Sequence, residues 1–509
     1  MDMQLTYRGV CVDEPLYNDS VEQAIDCEFT LPDYCPDIQK ILKCTLVPKI
    51  NSCLVSNNLI TVDGTAYITL LYCSKEQGEL RGYEVPVSFS KNLDTKSDCS
   101  GANVSATIKT DYVNCRAVNE RKLDIHGAAT LHLSVTKCME KDAVSDSTCS
   151  DIQIRKTTMP ICETIGCRTK QFTVHEELEL GQSNGSLLNI IKYDAEAVFD
   201  SCKTVTNKAV VKGSLCIRLL YLSEDQRYEK AQTEFPLNQI VELDGLTEDA
   251  ATFVKMDVCA CELKPYTNAD GECRSIMISV KVNITICGSN YREEQLVTDA
   301  YCTRYALEPT KEKLMIRRSI EDASCTFTVK SNLQISGGIG DIIDIWCMVV
   351  NSSFSYENGE LVCRGTVNAG VLVTDASGSC IYYEKPFDFE HRRQMQHPFS
   401  ESDLTLRAEN CSYSISSDET VEIRCDLQLS GTTSYLQQTN LITDLTLHED
   451  QPKQLDDLPA MTLYFANAGE SVWDIAVRYN TAADVIMEQN KLTGDVLTAD
   501  KMLLIPSIV

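Results

Sequence analysis

The chain has 509 residues, 43% hydrophobic and 24% charged, enough for three or four domain cores, and its few Gly and Pro (23 and 14) exclude long disordered or collagen-like tracts. A formal net charge of −28 repels phosphate backbones and anionic lipid, which argues against nucleic acid and membrane-surface partners. No run reaches the ~18 apolar residues of a spanning helix, and the opening MDMQLTYRGV lacks the basic start and apolar stretch of a secretory signal, so no membrane insertion and a cytoplasmic address are expected.

Along the chain one pattern recurs three times. It opens with LPDYCPDIQKIL (31–42), continues through LITVDG (59–64) and closes on LLY (70–72). The second copy runs from Ile190-Ile191 through AVVKG (209–213) to LLY (219–221), the third from Ile342-Ile343 through LVCRG (361–365) to VLV (371–373). In each copy the closing residue lies 8 positions after the glycine, and Pro86, Pro236 and Pro386 are spaced 150 apart. The alternation of residues 59–72 predicts strands, and a glycine inside it predicts a bulge or bend. Further strands are predicted at Leu123–Val135, Arg274–Ile286 and Thr420–Leu429, with turns at 268–271, 357–359 and 376–378. The expected architecture is mainly β: three repeated sandwich- or barrel-like domains at 1–153, 154–305 and 306–450. A polar linker, 451–459, and a small α+β module, 460–509, complete it.

That module begins with a strand bearing Tyr464. Ser471 is the expected N-cap of a helix, with Asp474 three positions on as a capping-box acid, and Val472, Ile475, Ala476 and Tyr479 on its inner face. A second helix follows with Val485 and Ile486, and a last strand at 503–506; Val472, Ile475, Ile486 and Leu504 are the expected core. The run GESVW (469–473), NT (480–481), NKL (490–492) and LLIP (503–506) resembles the LysM consensus, a βααβ fold. The resemblance implies that two loops, Gly469–Val472 and Asn490–Gly494, line a groove for N-acetylglucosamine polymers. The expected partner- or glycan-binding residues are Gly469, Glu470, Ser471, Val472, Trp473, Asn490, Lys491, Leu492, Thr493 and Gly494, with Trp473, one of two tryptophans, as a possible anchor.

The LPDYCPDI stretch, the glycine-to-LLY block and a terminal LysM together resemble the SipL-like SPOCS-domain proteins of spore-forming Clostridia. The resemblance implies a non-catalytic scaffold in the mother cell, at the forespore surface or spore coat, with partners including a SpoIVA-like coat morphogenetic ATPase and other coat proteins. The alternative is a binder of peptidoglycan or a chitin-type glycan.

Chemistry-bearing motifs are sparse. The six histidines are scattered without HExxH, and GxSxG, GxGxxG and GxxxxGK[ST] are missing, so no enzyme, no cofactor and no metal site is expected. The glycine-dense 337–340 is followed by no phosphate-cradling helix. Cysteine is abundant, 25 residues without a CxxC pair; most are expected to be reduced and to pack as small hydrophobes, the alternative being later oxidative crosslinking.

Overall fold

The computed structural model describes residues 4–507 except 77, 182, 269–270, 336–338, 376–377, 418 and 454–458. Most of the expected linker, half of the glycine-dense 337–340 and parts of the expected turns at 268–271 and 376–378 therefore lie outside the described residues.

Unit 1 contains β1 (Leu5–Thr30), β2 (Ile38–Ser56), β3 (Leu59–Ser74), β4 (Leu80–Asp94), β5 (Asn103–Ala117) and β6 (Lys122–Ser147). Unit 2 repeats this order with β7 (Ile152–Glu179), β8 (Leu187–Val205), β9 (Lys208–Ser223), β10 (Tyr228–Glu242), β11 (Ala251–Tyr266) and β12 (Ser275–Cys302). In unit 3 the first strand is split into β13 (Tyr305–Asp322) and β14 (Cys325–Gln334). There follow β15 (Ile342–Glu357), β16 (Glu360–Thr374), β17 (Cys380–Gln394), β18 (Glu401–Ser417) and β19 (Thr420–Pro452). Each unit packs an antiparallel three-stranded meander (β2-β3-β4, β8-β9-β10, β15-β16-β17) against a sheet built on its long outer strands.

The repeated residues now have physical reasons. Gly64, Gly213 and Gly365 each sit beside a register shift in the neighbouring strand. A Cβ there would stand 2.6, 2.4 and 2.3 Å from the carbonyl oxygens of Lys49, Val198 and Asn351, so only glycine lets the bulged strand approach. The three prolines lie on the edge strands β4, β10 and β17, where a missing N–H costs no ladder bond. Each apolar pair divides its labour. Ile41, Ile190 and Ile342 pack into the core of their own unit, while Leu42, Ile191 and Ile343 join Leu71, Leu220 and Leu372 in a cluster shared by all three.

A second shared region forms at the other ends of the long strands. There Val10, Val12 and Ala143 of unit 1 meet Met159, Ile161 and Leu296 of unit 2 and Leu314, Ile316 and Leu441 of unit 3. Equivalent positions supply each third of this trunk, and Val144, Val297 and Ile442 continue it. Two ion pairs cross between units beside it, Arg317 to Asp13 at 3.0 Å, both largely buried, and Arg8 to Glu294 at 3.0 Å, with Arg8 exposed.

The SPOCS-like opening motif is a loop wrapped around one guanidinium: Arg121 donates to the carbonyls of Leu31, Pro32 and Cys35 and to Asp37. Unit 2 lacks the motif but keeps the same crossing, with Arg274 donating to the Asn184 carbonyl.

Of the cysteines, 21 are free and all of these are buried or half-buried. Burial pushes the Cys53 and Cys259 thiols up to about 11 and those of Cys261 and Cys363 to about 12, which makes them poor nucleophiles. Most thiols are thus free, as expected, and four cysteines are paired. Cys11–Cys138 and Cys167–Cys287 are disulfides, joining residues 127 and 120 positions apart. The antiparallel pairing of β1 with β6 and of β7 with β12 brings their Cα atoms to 5.9 and 4.1 Å, a proximity that sequence spacing does not display.

Candidate binding site in the C-terminal module

The module consists of β20 (Met461–Ala466), α1 (Val472–Tyr479), α2 (Ala483–Asn490) and β21 (Lys501–Pro506), with β20 and β21 antiparallel. Ser471 caps α1 by accepting from the Trp473 N–H at 3.2 Å. The carboxylate that completes the cap is Asp495, which accepts from the same N–H at 3.1 Å and from the Ser471 hydroxyl at 3.3 Å. Asp474, the expected capping-box acid, makes no hydrogen bond to the cap, and Asp495 instead reaches the helix start from the loop before β21. Val472, Ile475, Ala476 and Ile486 are buried as expected. Val485 instead faces solvent, and Leu503 and Ile505 rather than Leu504 fill the core, because strand alternation sends neighbours to opposite faces.

The Gly469–Val472 loop meets the chain just after the second expected loop. The Gly469 N–H donates to the Leu497 carbonyl at 2.8 Å, the Leu497 N–H to the Glu470 carbonyl at 3.0 Å, and the Val472 N–H to the Asp495 carbonyl at 2.7 Å. The partner stretch is thus 495–497, one step beyond the expected Asn490–Gly494. Several expected contact residues are occupied within the module. Glu470 accepts from the Tyr464 hydroxyl at 3.0 Å and the Asn467 N–H at 3.1 Å. Asn490 accepts from the Leu504 N–H and donates to the Leu504 and Ile486 carbonyls, tying α2 to β21. Leu492 packs partly buried against the module core. Gly469, held at φ +90°, remains exposed together with Lys491, Thr493 and Gly494.

Trp473 is 6% exposed, and part of what covers it is the end of β12. Its indole packs edge-on against Tyr301, centroids 5.0 Å apart, and its Nε1–H donates to Asp299 Oδ2 at 2.9 Å. The Tyr301 hydroxyl donates to the Thr481 carbonyl at 2.6 Å, and Lys453 bridges the Cys302 carbonyl and Asn480. Arg155 pairs with Asp495 at 3.2 Å. Burial pushes the Asp299 carboxyl up, but the hydrogen bonds from Trp473 and Lys311 outweigh it and hold the group below the ordinary carboxylate range. The module is therefore docked on unit 2 through residues that sequence reading does not single out; the largely apolar ending of β12, LVTDAYC (296–302), is the available signal.

The opposite side of the module is apolar and open. Met461, Leu463, Phe465 and Met502 share the outer face of the β20–β21 pair and are 46%, 65%, 67% and 62% exposed. The strand MTLYFA is apolar on both faces, the pattern of a strand covered on both sides.

The histidines are dispersed: His126 lies between Asp26 and Asp124, His132 beside Ser20, His448 beside Glu308, and His391 stacks on Phe327. A groove of about 620 Å³ between units 1 and 2 is lined by Tyr67, Glu84, Lys192, Tyr193 and Lys281. Its central Glu84 carboxylate accepts from the Tyr193 and Thr69 hydroxyls, which makes it part of the seam between the units. Among the described residues no helix is long and apolar enough to cross a membrane.

Comparison with known families matches residues 37–118 and 187–265 to the family described as SipL, SPOCS domain, and residues 467–506 to the LysM domain. The two SPOCS segments cover β2–β5 of unit 1 and β8–β11 of unit 2. Comparisons with curated proteins and with solved structures give no match. SPOCS and LysM are both binding domains, the first tied to sporulation and the second to glycans.

Proposed function

For a chain that carries SipL-type SPOCS domains followed by a C-terminal LysM domain, we propose a non-catalytic role as a spore-envelope scaffold acting in the mother cell at the forespore surface. In this reading the SPOCS units and their trunk form a rigid body, and the LysM module presents a protein-binding face to a SpoIVA-like coat morphogenetic ATPase. The supporting observation is the outer face of Met461, Leu463, Phe465 and Met502, an open apolar patch on a module whose other side is already docked. Apolar patches rimmed by polar residues on a highly charged protein mark interaction surfaces. Trp473, the anchor suggested by sequence, is used internally and serves the docking instead. The test is capture of the ATPase by full-length protein: Leu463→Asp with Phe465→Asp should abolish capture while circular dichroism and melting stay unchanged. Unaltered capture would remove this face from the proposal.

A second reading, binding of peptidoglycan or chitin-type glycan, is favoured by the exposed Gly469, Lys491, Thr493 and Gly494 on the loops of a LysM fold. Co-sedimentation with peptidoglycan that is lost in Thr493→Trp and untouched by Leu463→Asp would favour it.

A further inference from the structure

Three cysteines of unit 3 converge in its core. Cys411 on β18 and Cys425 on β19 oppose each other across the antiparallel pair, and Cys347 on β15 reaches them from the facing sheet. Their three sulfurs all lie within 4.8 Å of one another. Cys425 and Cys347 are buried, while Cys411 is half-buried.

The sister units show what packing alone requires there. Four residues beyond the bulge glycine, the partner across the meander is Leu46 in unit 1, Ala195 in unit 2 and Cys347 in unit 3. On the long strands, counted from the trunk residues Ala143, Leu296 and Leu441, the equivalent positions are Gly127, Val280 and Cys425. Opposite them stand Val113, Cys261 and Cys411. The same sandwich thus closes with Leu46, Val113 and Gly127, or with Ala195, Cys261 and Val280. A core of this shape does not need three thiols, since a buried Cys packs no better than a small aliphatic residue.

We propose that Cys347, Cys411 and Cys425 form a three-thiolate site for a soft d10 metal ion, Cu(I) or Zn(II). Thiolates select such ions over hard cations. Metal–sulfur bonds of about 2.3 Å in a trigonal arrangement place the sulfurs about 4 Å apart, within the spacing seen here. Each thiol releases its proton to solvent as its bond to the metal forms, so no electron transfer is involved and affinity falls as pH falls. For Zn(II) a water takes the fourth position; Cu(I) is complete with three sulfurs. No short metal-binding motif marks the site, because Cys411 and Cys425 meet only across the β18–β19 hairpin and Cys347 comes from β15, three strands earlier.

The test uses reduced full-length protein handled anaerobically and titrated separately with Cu(I) and with Zn(II) against a chromophoric competitor. One ion should bind per chain, and Cys347→Ala, Cys411→Ala and Cys425→Val should each weaken it about 100-fold or more. Cys261→Val, at the single thiol of the unit 2 equivalent, should bind as the wild type does. X-ray absorption of the loaded wild-type protein should count three sulfur neighbours, a readout independent of whether the variants fold. The preferred ion distinguishes Cu(I) from Zn(II). Absence of a stoichiometric ion, wild-type affinity in the three variants, fewer than three sulfur neighbours, or a Cys411–Cys425 disulfide in the anaerobic protein would each overturn the proposal.

Discussion

Trp473 illustrates how one side chain can be read correctly as important and wrongly as to its partner. Its aromatic type and position at a helix start were visible in the sequence, but its neighbours Asp299 and Tyr301 lie in another unit. Trp473→Ala should destabilise the module by about 3–5 kcal/mol, the usual cost of deleting a buried aromatic. Trp473→Phe should cost about 1.5–3 kcal/mol, because it keeps the ring contact and removes only the hydrogen bond to a carboxylate. Urea denaturation followed by circular dichroism checks both; wild-type stability in Trp473→Phe would mean that the Asp299 bond contributes nothing. Asp299 also sets a pH dependence. Its carboxyl is held below its unfolded value by Trp473 and Lys311, so its contribution is complete above the ordinary carboxylate range. That contribution is lost as pH falls through the depressed folded value. Asp299→Asn should remove this acid-side loss of docking, measured as fluorescence of the tail tryptophan against pH.

The glycine of each repeat is legible from sequence as a bulge, and the ladder supplies the reason: a backbone carbonyl occupies the place of its Cβ. Gly365→Ala should therefore cost about 1–3 kcal/mol through forced backbone shifts. Gly494→Ala, where no atom lies within 4 Å of the added Cβ, should leave stability unchanged. Comparing the two melting temperatures tests the bulge argument directly, and tolerance of Gly365→Ala would refute it. The adjacent apolar pairs were equally visible, yet their meaning was not. A pair such as Ile190-Ile191 points to both faces of a strand, which shows that both are covered without showing that one cover is two other units.

The three units are joined by two shared cores, so their stabilities are expected to be coupled. Asp13 and Arg317 form a nearly buried ion pair between units 1 and 3, with side chains 7% and 13% exposed. Asp13→Ala leaves that guanidinium unpaired and should cost about 3–5 kcal/mol. Leu441→Ala in the trunk should cost about 2–5 kcal/mol. By calorimetry either change should lower one transition that includes all three units; a shift confined to a single resolved transition would show that the units melt independently. The same logic predicts that a fragment ending at residue 302 loses a third of the trunk and associates nonspecifically, as size-exclusion chromatography would reveal.

Local patterns decided the element types, the threefold repeat and the terminal βααβ module, because alternation, bulge glycines, edge prolines and helix caps act over a few residues. Only the tertiary structure decided where Trp473 points, that Asp495 rather than Asp474 completes the cap, and that the apolar face at Leu463 and Phe465 stays open. The same holds for the cross-strand disulfides, the trunk and the meeting of Cys347, Cys411 and Cys425. Each of these is a contact between residues brought together by strand register or by sheet packing. Register and packing are set by the sum of many side chains, and no short stretch of sequence contains that sum.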